Sequence, residues 1–134
     1  MMPIQYRTNM PITAAQLASL FEKSGIRRPA TDLPRLQCMI DAANLTVTAW
    51  DGGNLVGVAR ALTDFVWCCY LSDLAVDKSY QHQGIGTELI WQVQAALHSE
   101  EATLLLLAAP EAMEYYPKIG LQPVHNGWMI QRTR

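Results

Sequence analysis

No charge of one sign dominates this chain: ten Lys and Arg stand against twelve Asp and Glu in 134 residues, a formal net charge of −2. Without a basic excess there is no electrostatic footprint for nucleic acid or an anionic membrane surface, so neither is expected as a partner. Cysteine is scarce as well. Its three copies, with Cys68 and Cys69 adjacent in a strand-like run, do not make a disulfide framework and are expected to be reduced thiols that fill the core, not nucleophiles. No apolar run is long enough to cross a bilayer, and Met1 to Arg7 lacks the basic flank and apolar core of a signal peptide, so a cytoplasmic chain is expected. His82, His98 and His125 have no Cys or carboxylate at ligand spacing, and no metal is expected. What the chain does have is apolar content, 50% of all residues, enough for a single domain over 1–134 with its own core.

Read in order, Ile4 to Asn9 alternates like a first strand, and Thr13-Ala14-Ala15-Gln16 has the form of a capping box. The helix that follows puts Leu17, Leu20 and Phe21 on one face and stops at Gly25. A second helix is predicted from Asp32, with Pro34 in its first turn, to Asn44. Leu45 to Trp50 and Leu55 to Leu62 flank Asp51-Gly52-Gly53-Asn54, the signature of an antiparallel hairpin. Val66 to Val76 is nearly all apolar and reads as a central strand covered on both faces. From Gly84 to about His98, Ile85, Leu89, Val93, Ala96 and Leu97 recur at helical spacing. Ala102 to Ala109 reads as a buried strand, which with the helix before it implies a parallel pair and a right-handed crossover. Glu111 to about Lys118 is helical in pattern, and Leu121 to Gln131 reads as a last strand interrupted at Asn126-Gly127.

The stretch with the most chemistry is Gln81-His82-Gln83-Gly84-Ile85-Gly86-Thr87, where a strand empties through two glycines into a helix. The first amides of a helix lack intrahelical partners and together carry about half a positive charge. They suit a phosphate, and glycine lets the ligand approach the backbone. Rival phosphate motifs fail in detail. A dinucleotide fingerprint would need a third glycine at Leu89, and a P-loop would need Gly-Lys-Ser/Thr where Gly86-Thr87-Glu88 stands.

Two blocks give the run a more specific meaning. Leu74-Ala75-Val76 followed by Gln81-His82-Gln83-Gly84-Ile85-Gly86, and later Ala112-Met113-Glu114-Tyr115-Tyr116-Pro117-Lys118-Ile119-Gly120-Leu121, resemble the conserved blocks of GNAT-family N-acetyltransferases. Val56 to Arg60 looks like the family's third strand, and Ser72 to Val76 is most similar to small bacterial and plastid members. The resemblance implies a mixed α/β fold of the GNAT acyl-CoA N-acyltransferase type. In it a central, mostly antiparallel sheet contains one parallel, splayed strand pair and is flanked by helices. It implies acetyl-CoA as acetyl donor, with Leu74, Ala75 and Val76 along the pantetheine arm and Gln81, His82, Gln83, Gly84, Ile85, Gly86 and Thr87 around the diphosphate. It implies Tyr116 as the acid that returns a proton to the thiolate. It further implies an acceptor pocket shaped by Arg28, Trp67, Tyr70, Ser72 and Trp128, and homodimers are common among members. Two departures stand out: Ala109 occupies a place where many members have asparagine, and Pro117 is expected to bias Tyr116 away from helical angles.

Other roles follow from the residues themselves. The backbone N–H of Val76, at the end of a splayed strand, is placed to meet a developing oxyanion. Asp73 is the carboxylate beside Tyr70 and Ser72, where the resemblance implies a base, and strict alternation turns it away from the face shared by Tyr70, Ser72 and Leu74. It is expected either to act as a general base through water or to fix the loop by hydrogen bonding, the amine in the latter case losing its proton to solvent. The expected activity is direct acetyl transfer to a primary amine, a small amine favoured over a protein. The alternative is a CoA-binding regulatory module without catalysis.

Overall fold

The computed structural model describes residues 3–133; Met1 and Met2, part of the segment read above as carrying no signal peptide, and Arg134 lie outside them. Local chemistry sets the first helices as the sequence implies. Thr13 closes a reciprocal capping box with Gln16 at the start of α1 (Ala14–Ser24), and Gly25 ends that helix in the left-handed conformation at φ 78°. Asp32 accepts from the Arg35 N–H to start α2 (Leu33–Ala42), with Pro34 in the first turn where no N–H is missed. Asn44, expected as the end of this helix, lies beyond it. Its side chain instead donates to the carbonyl and accepts from the N–H of Thr63, tying together the outer ends of the hairpin.

The sheet contains β1 (Gln5–Thr8), β2 (Leu45–Asp51), β3 (Asn54–Thr63), β4 (Cys68–Val76) and β5 (Thr103–Leu105), in that spatial order. The first three pairings are antiparallel, and β5 joins β4 in parallel. The hairpin between β2 and β3 turns on Gly52, whose φ of 59° suits glycine. Helix α3 (Ile85–Ala95) packs Leu89 and Val93 against one face of the sheet, with Val47, Ala59 and Leu71. Leu17, Phe21 and Leu36 from α1 and α2 cover the other face, against Val58 and Ala75.

Five expectations need correction. The strand predicted from Val66 starts only at Cys68, because the Asp64 carboxylate accepts from the N–H groups of Val66, Trp67 and Cys68 and holds them in a tight loop. Nor is this half of the strand covered on both sides, since Cys68 and Tyr70 are exposed while Cys69 and Leu71 are buried; Cys68 therefore does not fill the core. The run Ala102 to Ala109 is a strand for three residues only, and it leaves β4 after Leu105. The helix predicted from Glu111 splits into one 3-10 turn at Pro110–Ala112 and the short α4 (Tyr115–Lys118), so Pro117 falls within a first turn and deprives no carbonyl of a partner. Finally, the segment from Leu121 to Gln131 is not a strand. Its alternation is present, but an extended segment needs a ladder partner, and no described strand pairs with it.

Candidate functional site

Two features converge at the C-terminal end of β4. The parallel ladder with β5 stops at the pair Tyr70 and Leu105, so from Leu71 to Val76 the strand is paired on its β3 side alone. The Asp77 N–H donates to the Val56 carbonyl at 2.8 Å, and because strand groups alternate, those of Leu74 and Val76 point to the open side. Side chains take up part of that edge: Gln81 Nε2 donates to the Val76 carbonyl at 3.2 Å, and Arg28 Nη2 donates to the Ser72 carbonyl at 2.7 Å. An extended ligand with alternating donors and acceptors would fit the remainder as an added strand.

The second feature is the entry to α3. Gly84 caps it at φ 81°, a left-handed conformation that glycine adopts without strain, and a Cβ there would meet open space. His82 is also left-handed at φ 65°, and Gln81, His82 and Gln83 are exposed. Ile85 turns its side chain into the core, leaving its amide for the site. Gly86 is restricted differently. A Cβ there would lie 3.1 Å from the Tyr115 hydroxyl and 3.8 Å from Val76 Cγ2, so this glycine admits a phenol and the end of β4 to the first helical turn. The Tyr115 hydroxyl and Thr87 Oγ1 are 2.7 Å apart.

Period-two reasoning fails on β4 because the strand carries a bulge. Arg60 pairs with Asp73 and Ala61 with Leu71, which leaves Ser72 as the extra residue. Leu71 therefore faces α3, whereas Asp73 and Ala75 face α1 and α2. Asp73 is fully buried, and its two oxygens accept from Arg28 Nε and Arg60 Nε. Arg60 also donates to the Met39 carbonyl and the Ser72 hydroxyl, while Arg28 reaches the carbonyls of Arg27 and Ser72. Both cations and the carboxylate are thus spent on fastening the connector between α1 and α2, and the end of α2, to the sheet. Each Asp73 oxygen is held by a guanidinium inside a fully buried site, which shuts out solvent, contrary to the base role, and each Arg28 nitrogen has a protein acceptor. A charged residue inside the apolar run Val56 to Leu62 was the available sign that Arg60 has a buried partner.

The remaining side chains divide. Tyr116 packs its ring against the α3-side core, and burial, with the neighbouring Tyr115 phenol, raises its pKa above the ordinary tyrosine value. The two tyrosines meet edge to face with centroids 5.2 Å apart. Tyr70 is exposed on β4 on the side of α1 and α2. Trp67 does not join the site: it is exposed before the opposite end of β4, about 30 Å from Val76 at the usual rise of a strand. Trp128 is 97% exposed and touches neither the strand end nor the helix entry. Neither tryptophan forms a pocket there.

An edge that accepts an extended ligand, running into a helix start that accepts an anion, suits a molecule with an amide-bearing arm and a phosphate. Among known proteins, the chain is 28% identical over 120 residues to "Probable acetyltransferase TAP2" of Glycine max, an alignment covering 83% of this chain and 48% of the relative. The chain spans less than two thirds of the length of the curated relatives it matches first. A probable acetyltransferase of Staphylococcus aureus superposes with a TM-score of 0.82 at 24% identity, covering 97% of this chain and 99% of the other. The aminoglycoside N-acetyltransferase AAC(6')-Iy, solved in complex with CoA, superposes with a TM-score of 0.70 at 14% identity over 98% of this chain and 96% of its own. Likenesses at these identities concern the fold. The sequence model of the Acetyltransferase (GNAT) family matches residues 14–121, and to that family the chain belongs.

Proposed function

We propose that the chain is an acetyl-CoA-dependent N-acetyltransferase that moves the acetyl group directly to a primary amine, a small amine in preference to a protein. The observation that carries this reading is the open β4 edge from Leu71 to Val76 leading straight to the glycine entry of α3. The pantetheine arm pairs with the outward groups of Leu74 and Val76 beside Ala75, and the diphosphate lies on the amides from Gln83 to Thr87, with Gln81 and His82 at its rim. CoA bound to a structural neighbour of the same fold supports the choice of acetyl donor.

Each residue then has a limited task. The Val76 N–H, directed to the open side, meets the negative charge that develops on the carbonyl oxygen as the amine attacks. Tyr116 keeps its proton at neutral pH, since its pKa is raised, and gives it to the departing thiolate. With Asp73 committed to two arginines, the amine loses its proton to solvent past Ser72 and Tyr70. The modest negative charge of the chain favours a cationic acceptor.

We further place the protein in a reducing compartment, the cytoplasm, because the thiols of Cys38 and Cys68 are exposed and free. We also propose that it works as a homodimer through the exposed apolar segment that holds Trp128, Met129 and Ile130. The test is thiol release from acetyl-CoA with a panel of amines, comparing wild type with Tyr116→Phe. Release with at least one amine, reduced by roughly a hundredfold in the variant as for loss of a general acid, is expected. The burial of Asp73 between two arginines favours one second reading, a CoA-binding module without catalysis. Tight acetyl-CoA binding with no turnover on any amine would establish it.

A further inference from the structure

The two neighbouring phenols do different things, and the one that reaches the helix entry is Tyr115. Its hydroxyl lies 2.7 Å from Thr87 Oγ1, over the first turn of α3 and beside Val76, in space that only a glycine at position 86 leaves open. Tyr116 turns away into the apolar layer. A serine or threonine inside a helix ordinarily bonds back to a carbonyl one turn earlier. Here the partner of the Thr87 hydroxyl is the phenol instead.

Between two hydroxyls only one proton is shared, and the phenol is the more acidic of the pair, so Tyr115 donates and Thr87 accepts. The Thr87 proton is then left to point at whatever sits on the first-turn amides. Accepting a hydrogen bond also makes that hydroxyl a stronger donor. We propose that Tyr115 is a positioning residue for the diphosphate of the acetyl donor, acting through Thr87 by fixing its hydroxyl as one more donor in the cradle. This rests on the acetyl-CoA reading above. It also gives Gly86 a reason beyond ligand approach, since a side chain there would push the phenol off Thr87.

Calorimetric titration with CoA, and steady-state kinetics with acetyl-CoA and with acetylated pantetheine, which lacks the diphosphate, test the proposal. Tyr115→Phe and Thr87→Val should each weaken CoA by roughly three- to tenfold, the range for one hydrogen bond. Their combination should weaken it no further, Thr87→Ser should retain affinity, and the loss should show in the KM for acetyl-CoA and not in the KM for acetylated pantetheine. A tie that serves stability alone would weaken both acetyl donors alike, which overturns the proposal, as do additive losses or a Tyr115→Phe variant that binds CoA like wild type. A wild type that binds no CoA at all refutes the acetyl-CoA reading itself, and this inference with it.

Discussion

Replacing Asp73 with Asn keeps the shape of the side chain and removes the charge that two guanidinium groups share. Breaking a buried ion pair by neutralising one partner costs about 3–5 kcal/mol, because the other charge is left in a poorly solvated place. The Arg60 side chain is 9% exposed and that of Asp73 is 0%, so this half of the arrangement belongs in that range. The Arg28 side chain is 28% exposed and regains water on release, so its share is discounted to below about 1 kcal/mol. One hydrogen bond to the Asn oxygen offsets part of the loss, for a net destabilisation of about 3 kcal/mol. For a chain of this size that lowers Tm by roughly 10 °C. Urea unfolding monitored by circular dichroism should show a lower midpoint with an unchanged slope. Adding Arg60→Met should recover part of the loss, since it removes the stranded charge. An Asp73→Asn protein that unfolds like wild type yet has lost acetyl transfer by orders of magnitude would refute this reasoning and restore the carboxylate to a chemical role.

Further outcomes follow from other contacts. Three backbone N–H groups hold the Asp64 carboxyl below its usual pKa, so its contribution to stability is present above the unfolded value near 4 and disappears as pH falls through the folded one. Asp64→Asn should therefore lose stability at neutral pH and show a flatter dependence in acid, read from Tm against pH. Leu89 is completely buried between α3 and the sheet, and Leu89→Ala should cost about 3 kcal/mol in denaturant unfolding. If the exposed segment forms the dimer contact, Trp128→Ser combined with Ile130→Ser should halve the mass seen by light scattering; a monomeric wild type would end that proposal.

Most of what was legible in the sequence is set within a few residues. The capping box at Thr13, the hairpin turn at Gly52 and the glycine entry to α3 are all written in local chemistry, and the structure has them where the pattern puts them. The family blocks added the ligand chemistry but not the facing of side chains. Asp73 looked available because its partners, Arg28 and Arg60, lie far away in sequence, and only the fold brings them to it. Which phenol reaches the helix entry turns on where a four-residue helix begins, a boundary that periodicity over so short a run does not fix. The segment after Leu121 has the alternation of a strand, but whether an alternating segment becomes one depends on an available edge, which is a property of the assembled sheet.

The bulge at Ser72 has a consequence for insertions and deletions. Because Leu71 and Asp73 already face opposite layers, a chain lacking Ser72 would keep each of its core side chains on the correct side and would still fold as a regular strand. What it would lose is the bend. A straight β4 could continue its parallel ladder past Tyr70, zipping its free edge to the residues that follow Leu105. The ladder ends one pair before the bulge begins, so removal of a single serine would be expected to turn a receptive edge into ordinary scaffold.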